Sequence, residues 1–283
     1  MRTRHALALS LALASPCIVA CGGQEFVAGA GDAAPAQEAA APDAGPGFCL
    51  SQPAGAFAFC SDFDEKPLPE NWDDLLTKGS PPVAEDDATS VSPPNSLLAT
   101  APALAAGATA TESFVTTTKL PTPGAVHIAF EMRIDELSFP SNATGALIVP
   151  ALYTQGKYEI LLAFEPSTTG PFDFVLYELS PAVVSALDAG ASITRHDLTP
   201  LFAQASDGGS GLGSWQQFKI DLDIDDGKKT ATVTVGSIST LVNLDVPIGT
   251  ANGARSFSIG LEATAPTGEA KMHFDNVTYS AAE

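Results

Sequence analysis

Alternation with a period of two recurs along most of this chain, and it sharply limits what the chain can fold into. Val126, Ile128, Phe130, Met132 and Ile134 alternate with His127, Ala129, Glu131, Arg133 and Asp135. Phe218, Ile220, Leu222 and Ile224 alternate with Lys219, Asp221, Asp223 and Asp225. Asp226-Gly227 then offers a tight turn, and Ala231, Val233 and Val235 run back. Successive side chains of a strand point to opposite faces, so such stretches predict strands with one buried and one wetted face. Phe257–Leu261 and Ala270–Phe274 repeat the pattern. Three further runs, Ala146–Tyr153, Tyr158–Phe164 and Phe172–Leu179, are apolar on both faces. They suit central strands covered by the opposite sheet on one side and by loops or ligand on the other. Pro150 makes the first of them the least regular, and Pro181–Leu187 is the best short helix candidate. About a dozen strands separated by Gly, Pro, Asn and Asp predict an all-β, antiparallel jelly-roll β-sandwich over residues 48–283.

The first 47 residues do not belong to that pattern. Met1-Arg2-Thr3-Arg4-His5 is a short basic start, followed by an apolar run from Ala6 to Ala14 that is too short to span a bilayer. Ile18-Val19-Ala20-Cys21 resembles a bacterial lipobox. The resemblance implies cleavage of residues 1–20 as a lipoprotein signal peptide and lipidation of Cys21. Two or three acyl chains, at about 0.8 kcal/mol per buried CH₂, hold such a protein to the membrane. Gly22 in place of an Asp after the cysteine favours outer-membrane placement in the cell envelope. Residues 21–47 then form a tether. Gly22 to Gly47 contains nine Ala, six Gly and three Pro, cannot bury enough apolar surface to order itself, and is predicted to span about 25–30 Å as a flexible coil.

Four cysteines are present. Cys17 falls in the signal peptide and Cys21 in the lipobox, so Cys49 and Cys60 remain as an even pair in an oxidising compartment and are expected to form a disulfide.

Within the domain, several segments together resemble the concanavalin A-like (laminin-G-type) lectin and glucanase jelly rolls found in bacterial surface lipoproteins. They are Phe59-Cys60-Ser61-Asp62-Phe63-Asp64 with Trp72, Ser92-Pro93-Pro94-Asn95-Ser96-Leu97, the Val126–Asp135 strand, the Trp215–Asp225 strand with its hairpin, and Phe274-Asp275-Asn276-Val277. Galactose-binding-like jelly rolls share the closing Asp-Asn-Val pattern. The resemblance implies a curved sandwich that often contacts glycans and sometimes carries structural Ca²⁺. The alternation slips at Asp275, where Phe274 and Val277 stand three apart, which predicts a bulge. Asp62, Asp64 and Asp275 are the candidate calcium ligands, since the first strand of such folds pairs near the last.

Other candidates are weaker. Asp221, Asp223 and Asp225 project from one strand face, most simply as a solvated edge. Glu131-Met132-Arg133-Ile134-Asp135 carries Arg133 where a glycanase places its middle carboxylate, and reads instead as an ion-pair ladder. Tyr153, Tyr158 and Tyr177 are the candidate glycan-contacting aromatics; Trp72 and Trp215 read as packing. The histidines show no metal-ligand spacing. A net charge of −20 opposes nucleic acid and anionic surfaces as partners. These features rank a non-enzymatic, membrane-tethered adhesion or binding module contacting glycans first. A structural lipoprotein without a small ligand comes second, and a glycan-cleaving enzyme third.

Overall fold

Strand-forming residues dominate the chain, and fifteen strands with two short helices form in the computed structural model, which describes residues 47–64, 67–118, 120, 125–155, 158–179, 193–206, 211–223, 227–245 and 254–282. The leader, the lipobox, the tether, the Pro181–Leu187 helix candidate and Asp225 lie outside these residues. All that is described belongs to one compact unit, Pro42–Glu283.

In chain order the elements are α1 (Phe48–Ser51), β1 (Phe59–Ser61), β2 (Asp74–Lys78), β3 (Ala84–Asp86), β4 (Ser96–Ala101), β5 (Thr111–Thr117), β6 (Ala125–Leu137), β7 (Leu147–Gln155) and β8 (Tyr158–Glu165). β9 (Asp173–Leu179), β10 (Thr194–Asp197), α2 (Thr199–Ala205), β11 (Trp215–Asp223), β12 (Thr230–Val235), β13 (Ile238–Asn243), β14 (Arg255–Ala263) and β15 (Ala270–Ala282) follow. One sheet runs β13-β12-β11-β6-β15-β4-β3 with β1 added beside β15, making eight strands; the other runs β10-β9-β8-β7-β14-β5-β2, making seven. The strand pairs are antiparallel, and the two sheets stack as a jelly-roll sandwich.

The alternating residues named above supply the core. Ile128, Phe130, Met132, Phe218, Ile220, Val233 and Phe274 from the eight-stranded sheet are buried, as are Val115, Ile160, Leu162, Phe164, Phe174, Leu176 and Ile259 from the seven-stranded one. Each such side chain contributes roughly 1.5–3 kcal/mol of transfer free energy. Phe174 of β9 meets Phe218 of β11 across the layers at a 6.0 Å centroid separation. Trp72 is core, stacked on Phe63. The predicted hairpin is present as the β11–β12 pair, with Gly227 at φ +91° beside it.

Two irregularities appear, the second of them foreseen from sequence. β7 slips register against β8 between Val149 and Tyr153, the stretch that holds Pro150. β15 bulges against β6 between Asp275 and Thr278, with Asn276 at φ +49°. β1 pairs β15, Phe59 facing Tyr279, and the Cys49–Cys60 disulfide ties α1 to β1 at a Cα–Cα distance of 5.8 Å.

Candidate functional site

Alternation assigns every described strand residue a face. In the seven-stranded sheet Tyr158, Ile160, Leu162 and Phe164 point inward, so Glu159, Leu161, Ala163 and Glu165 point outward. On β9 the outward set is Asp173, Val175, Tyr177 and Leu179. On β10 it includes Arg195 and Asp197, on β14 Ser258, Gly260 and Glu262, and on β5 Glu112, Phe114 and Thr116. Outward residues of a sandwich are normally wetted. Ala163, Val175 and Leu179 are nevertheless buried while standing apart from the contiguous core. The outer face of this sheet therefore has an apolar, sheltered floor.

One row crosses all seven strands in register: Lys78, Glu112, Glu262, Ile148, Ala163, Val175, Asp197. Glu112 and Glu262 are direct cross-strand partners, which places their Cβ atoms about 4.5–5.5 Å apart on the same face. Lys78 Nζ lies 3.3 Å from Glu112 Oε1. Burial pushes the Glu262 carboxyl above the usual range, and the charges of Glu112 and Glu159 push the same way, with Lys78 opposing. Glu159 is raised by burial as well. One carboxyl is thus biased toward keeping its proton while its neighbour sits beside an ammonium.

A pleat away, Tyr177 Oη donates to Glu165 Oε1. Arg195 Nε donates to Glu165 Oε2 at 2.8 Å, and its Nη2 donates to Asp173 Oδ2 at 3.3 Å. Burial and the Glu165 carboxylate push the Tyr177 phenol up to about 12, so it acts here as a donor. Gly260 opposes Phe114 at φ +145°, and a Cβ there would fall 2.4 Å from the Ser113 carbonyl oxygen. Only glycine fits there, because Phe114 of β5 presses against it.

The candidates from sequence distribute as follows. Tyr177 is on this face. Tyr158 is not: it is fully buried, with its hydroxyl on Glu178 Oε1 at 3.2 Å, because its side of β8 is the core side. Tyr153 lies on β7, its side chain outside the described residues. Asp221 pairs with His127 at 2.6 Å and Asp223 with Lys228 at 2.6 Å, the solvated-edge arrangement. Arg133 pairs with Asp135 at 2.6 Å, half of the ladder expected there. Trp215 packs edge-on against His273.

The three candidate calcium ligands are occupied separately. Asp275 accepts from the Val91 and Ser92 amides at 2.7 and 2.9 Å and from Asn276 N–H at 2.7 Å. Asp62 accepts from Cys49 N–H at 2.6 Å, and Asp64 from Asn95 N–H at 2.8 Å. Asp64 Oδ2 alone is buried without a donor. Among the described residues no three His, Cys, Asp or Glu groups are placed to share a metal. Asp62, Asp64 and Asp275 each accept from backbone amides that the bulge and loop ends leave bare.

Sequence reasoning missed Glu112, Glu262, Glu159, Glu165 and Arg195. They are spread over β5, β8, β10 and β14, and only the register of distant strands unites them.

No family model and no curated protein sequence matches the chain. Solved structures do. An endo-β-1,4-glucuronan lyase from the fungus Trichoderma reesei is 12% identical and aligns with a TM-score of 0.53 over 80% of this chain and 96% of that one. The cellulose-induced protein Cip1 is 16% identical at a TM-score of 0.44, over 79% and 97% of the two chains. A family 7 alginate lyase, A1-II′, is 16% identical at 0.46, over 72% and 84%. The first match corroborates the fold. It also corrects the ranking made from sequence, in which a non-enzymatic adhesion module stood first and glycan cleavage last. The glucuronan lyase, which aligns over 96% of its own length, is a polysaccharide-cleaving enzyme. Two carboxylates, Glu112 and Glu262, do face each other across β5 and β14.

Proposed function

We propose that this chain cleaves glycosidic bonds on the outer face of its seven-stranded sheet, with Glu262 as proton donor and Glu112 as the facing carboxylate. The observation that carries the reading is their direct register across β14 and β5. Glycosidases need two carboxyls at a set spacing, about 5–5.5 Å where the second acts as nucleophile, with one held protonated. The desolvated Glu262 and the Lys78-paired Glu112 divide those roles. Ile148, half-buried, continues the same row, and the Tyr177 ring, its hydroxyl on Glu165, lies on the same face. The shared architecture with a glucuronan lyase adds weight. The test is release of reducing ends from a polysaccharide panel. Glu262→Gln and Glu112→Gln, with melting temperatures unchanged, should each abolish it; activity retained in both would sink the assignment.

We propose also that the enzyme works outside the cytoplasm, held in the cell envelope, at the outer membrane, by a lipid on Cys21. The support is the Ile18-Val19-Ala20-Cys21 motif and a Cys49–Cys60 disulfide, which fits an oxidising compartment. Cys21→Ala should shift the protein from the membrane fraction to the soluble one.

A further inference from the structure

Resting on the active face proposed above, we infer that the substrate is a glycan bearing no carboxylate or sulfate, and that the bond is broken by hydrolysis and not by β-elimination. The observation is how charge is committed on that face. Glu112, Glu159, Glu165, Glu262, Asp173 and Asp197 project from it. Among the described residues of its seven strands, Lys78 and Arg195 are the cations that join them. Both are already engaged: Lys78 with Glu112, and Arg195 with Glu165 and Asp173.

Elimination in a uronate polymer removes the proton beside a carboxylate, which requires a cation or amide donor placed on that carboxylate. Drawing Arg195 or Lys78 onto a uronate would strand Glu165, Asp173 or Glu112 on a half-buried face, where unpaired charge is costly. The remaining imidazole nearby is no substitute, because His196 turns inward to Glu178, 3.4 Å away. The chain's net charge of −20 adds long-range repulsion of any polyanion. An uncharged chain meets none of these obstacles.

The chemistry balances on two carboxyls and water. Glu112 attacks the anomeric carbon as the glycosidic C–O bond breaks, and Glu262 gives its proton to the departing oxygen, which leaves as an alcohol. A water then loses a proton to Glu262 and adds to the same carbon, releasing the Glu112 carboxylate and a new reducing end. Nothing is oxidised or reduced.

The test incubates the full-length protein with uncharged β-1,4- and β-1,3-glucans and, separately, with polyglucuronate and alginate. Reducing ends and the ultraviolet absorbance of unsaturated uronate are followed in parallel, in isotopically labelled water. The expected result is label-bearing reducing ends from an uncharged glucan, no ultraviolet product from either uronan, and loss of cleavage in Glu262→Gln. Catalytic efficiency on the uncharged chain should stay within about twofold as salt rises from ~0.01 to ~0.15 M, because screening alters only charge–charge attraction. Cleavage of a uronan, by elimination or by hydrolysis, overturns the substrate inference and leaves the glycan-cleaving reading standing. No cleavage of any polymer overturns that reading itself, and the inference with it.

Discussion

On the outer face of the eight-stranded sheet polar groups are closed against one another. His127 meets Asp221, Arg133 meets Asp135, Gln217 donates to Glu131 at 3.1 Å, and the fully buried His273 sits 3.0 Å from Asp135 Oδ2 and 3.1 Å from Ser96 Oγ. On the outer face of the seven-stranded sheet, Glu262 stands opposite another carboxylate, Glu159 is raised by burial, and buried Ala163 and Val175 lie between the acids. Both faces are built from strands of the same kind. The first uses charge to satisfy charge. Both faces nevertheless hold a cross-strand carboxylate pair, Glu131–Asp275 on the first and Glu112–Glu262 on the second, and burial raises Glu131, Asp275 and Glu262 alike; what sets the second apart is the Lys78 ammonium beside Glu112. On the first face the pair is tied off by Gln217 and by the Val91 and Ser92 amides, and on the second it stands beside an ammonium, the asymmetry that the proposed chemistry uses.

The sharpest way to break this contrast is to mutate one carboxylate on each face. Glu262→Gln should lower kcat by roughly 10²–10⁴-fold, the usual share of a general acid, with the melting temperature held. Asp221→Asn on the other face should leave kcat within about twofold, since an exposed ion pair contributes about 1 kcal/mol or less. Equal losses in the two variants would erase the distinction between the faces.

The next effects test whether the eight-stranded side is only scaffold. Cys60→Ser opens the Cys49–Cys60 loop and should cost about 3 kcal/mol of stability in denaturant unfolding while leaving the kcat of the folded protein unchanged. Asp275→Ala strips the acceptor from the amides of Val91, Ser92 and Asn276 and should cost about 1–3 kcal/mol. Asp275 also carries a pH signature. Burial raises its carboxyl from 3.8 to about 6, so the folded state holds a proton that the unfolded chain has released. Stability should therefore be greatest below that window and fall as pH rises through it, and Asp275→Asn should flatten the slope in a series of melts. The smallest effect sharpens the active face. Lys78→Met removes a neighbour that favours ionised Glu262, so the alkaline limb of the pH–rate profile should move to higher pH.

Much of the scaffold was legible in the sequence, because alternation is local. Val126–Ile134 and Phe218–Leu222 point as their spacing predicts, Asp275 bulges where the period slips, and Cys49 pairs with Cys60. The two-sided apolar runs also foretold covered strands, which became β8 and β9. The site was nearly invisible for the converse reason. Glu112 and Glu262 are 150 positions apart on strands that meet only through sheet order, and nothing local distinguishes either from a surface glutamate. The carboxylates that did stand out, Asp221 and Asp223, were conspicuous because they alternate, and alternation is what a solvated edge produces. Tyr158 and Tyr177 are both strand tyrosines; inward or outward parity decides between core and site, and a two-sided apolar run hides parity.

The disulfide has a mechanical consequence. Because Cys60 lies within β1, and β1 is laced antiparallel to β15 by Phe59–Tyr279, Cys60–Thr278 and Ser61–Val277, a pull applied at Phe48 passes through Cys49 directly into the sheet. Residues 50–59 stay slack while load is shared across the β1–β15 ladder and into β6 and β4 on either side. A domain dragged from its N-terminal end would thus be gripped through the eight-stranded sheet, and the strain would reach the seven-stranded sheet last.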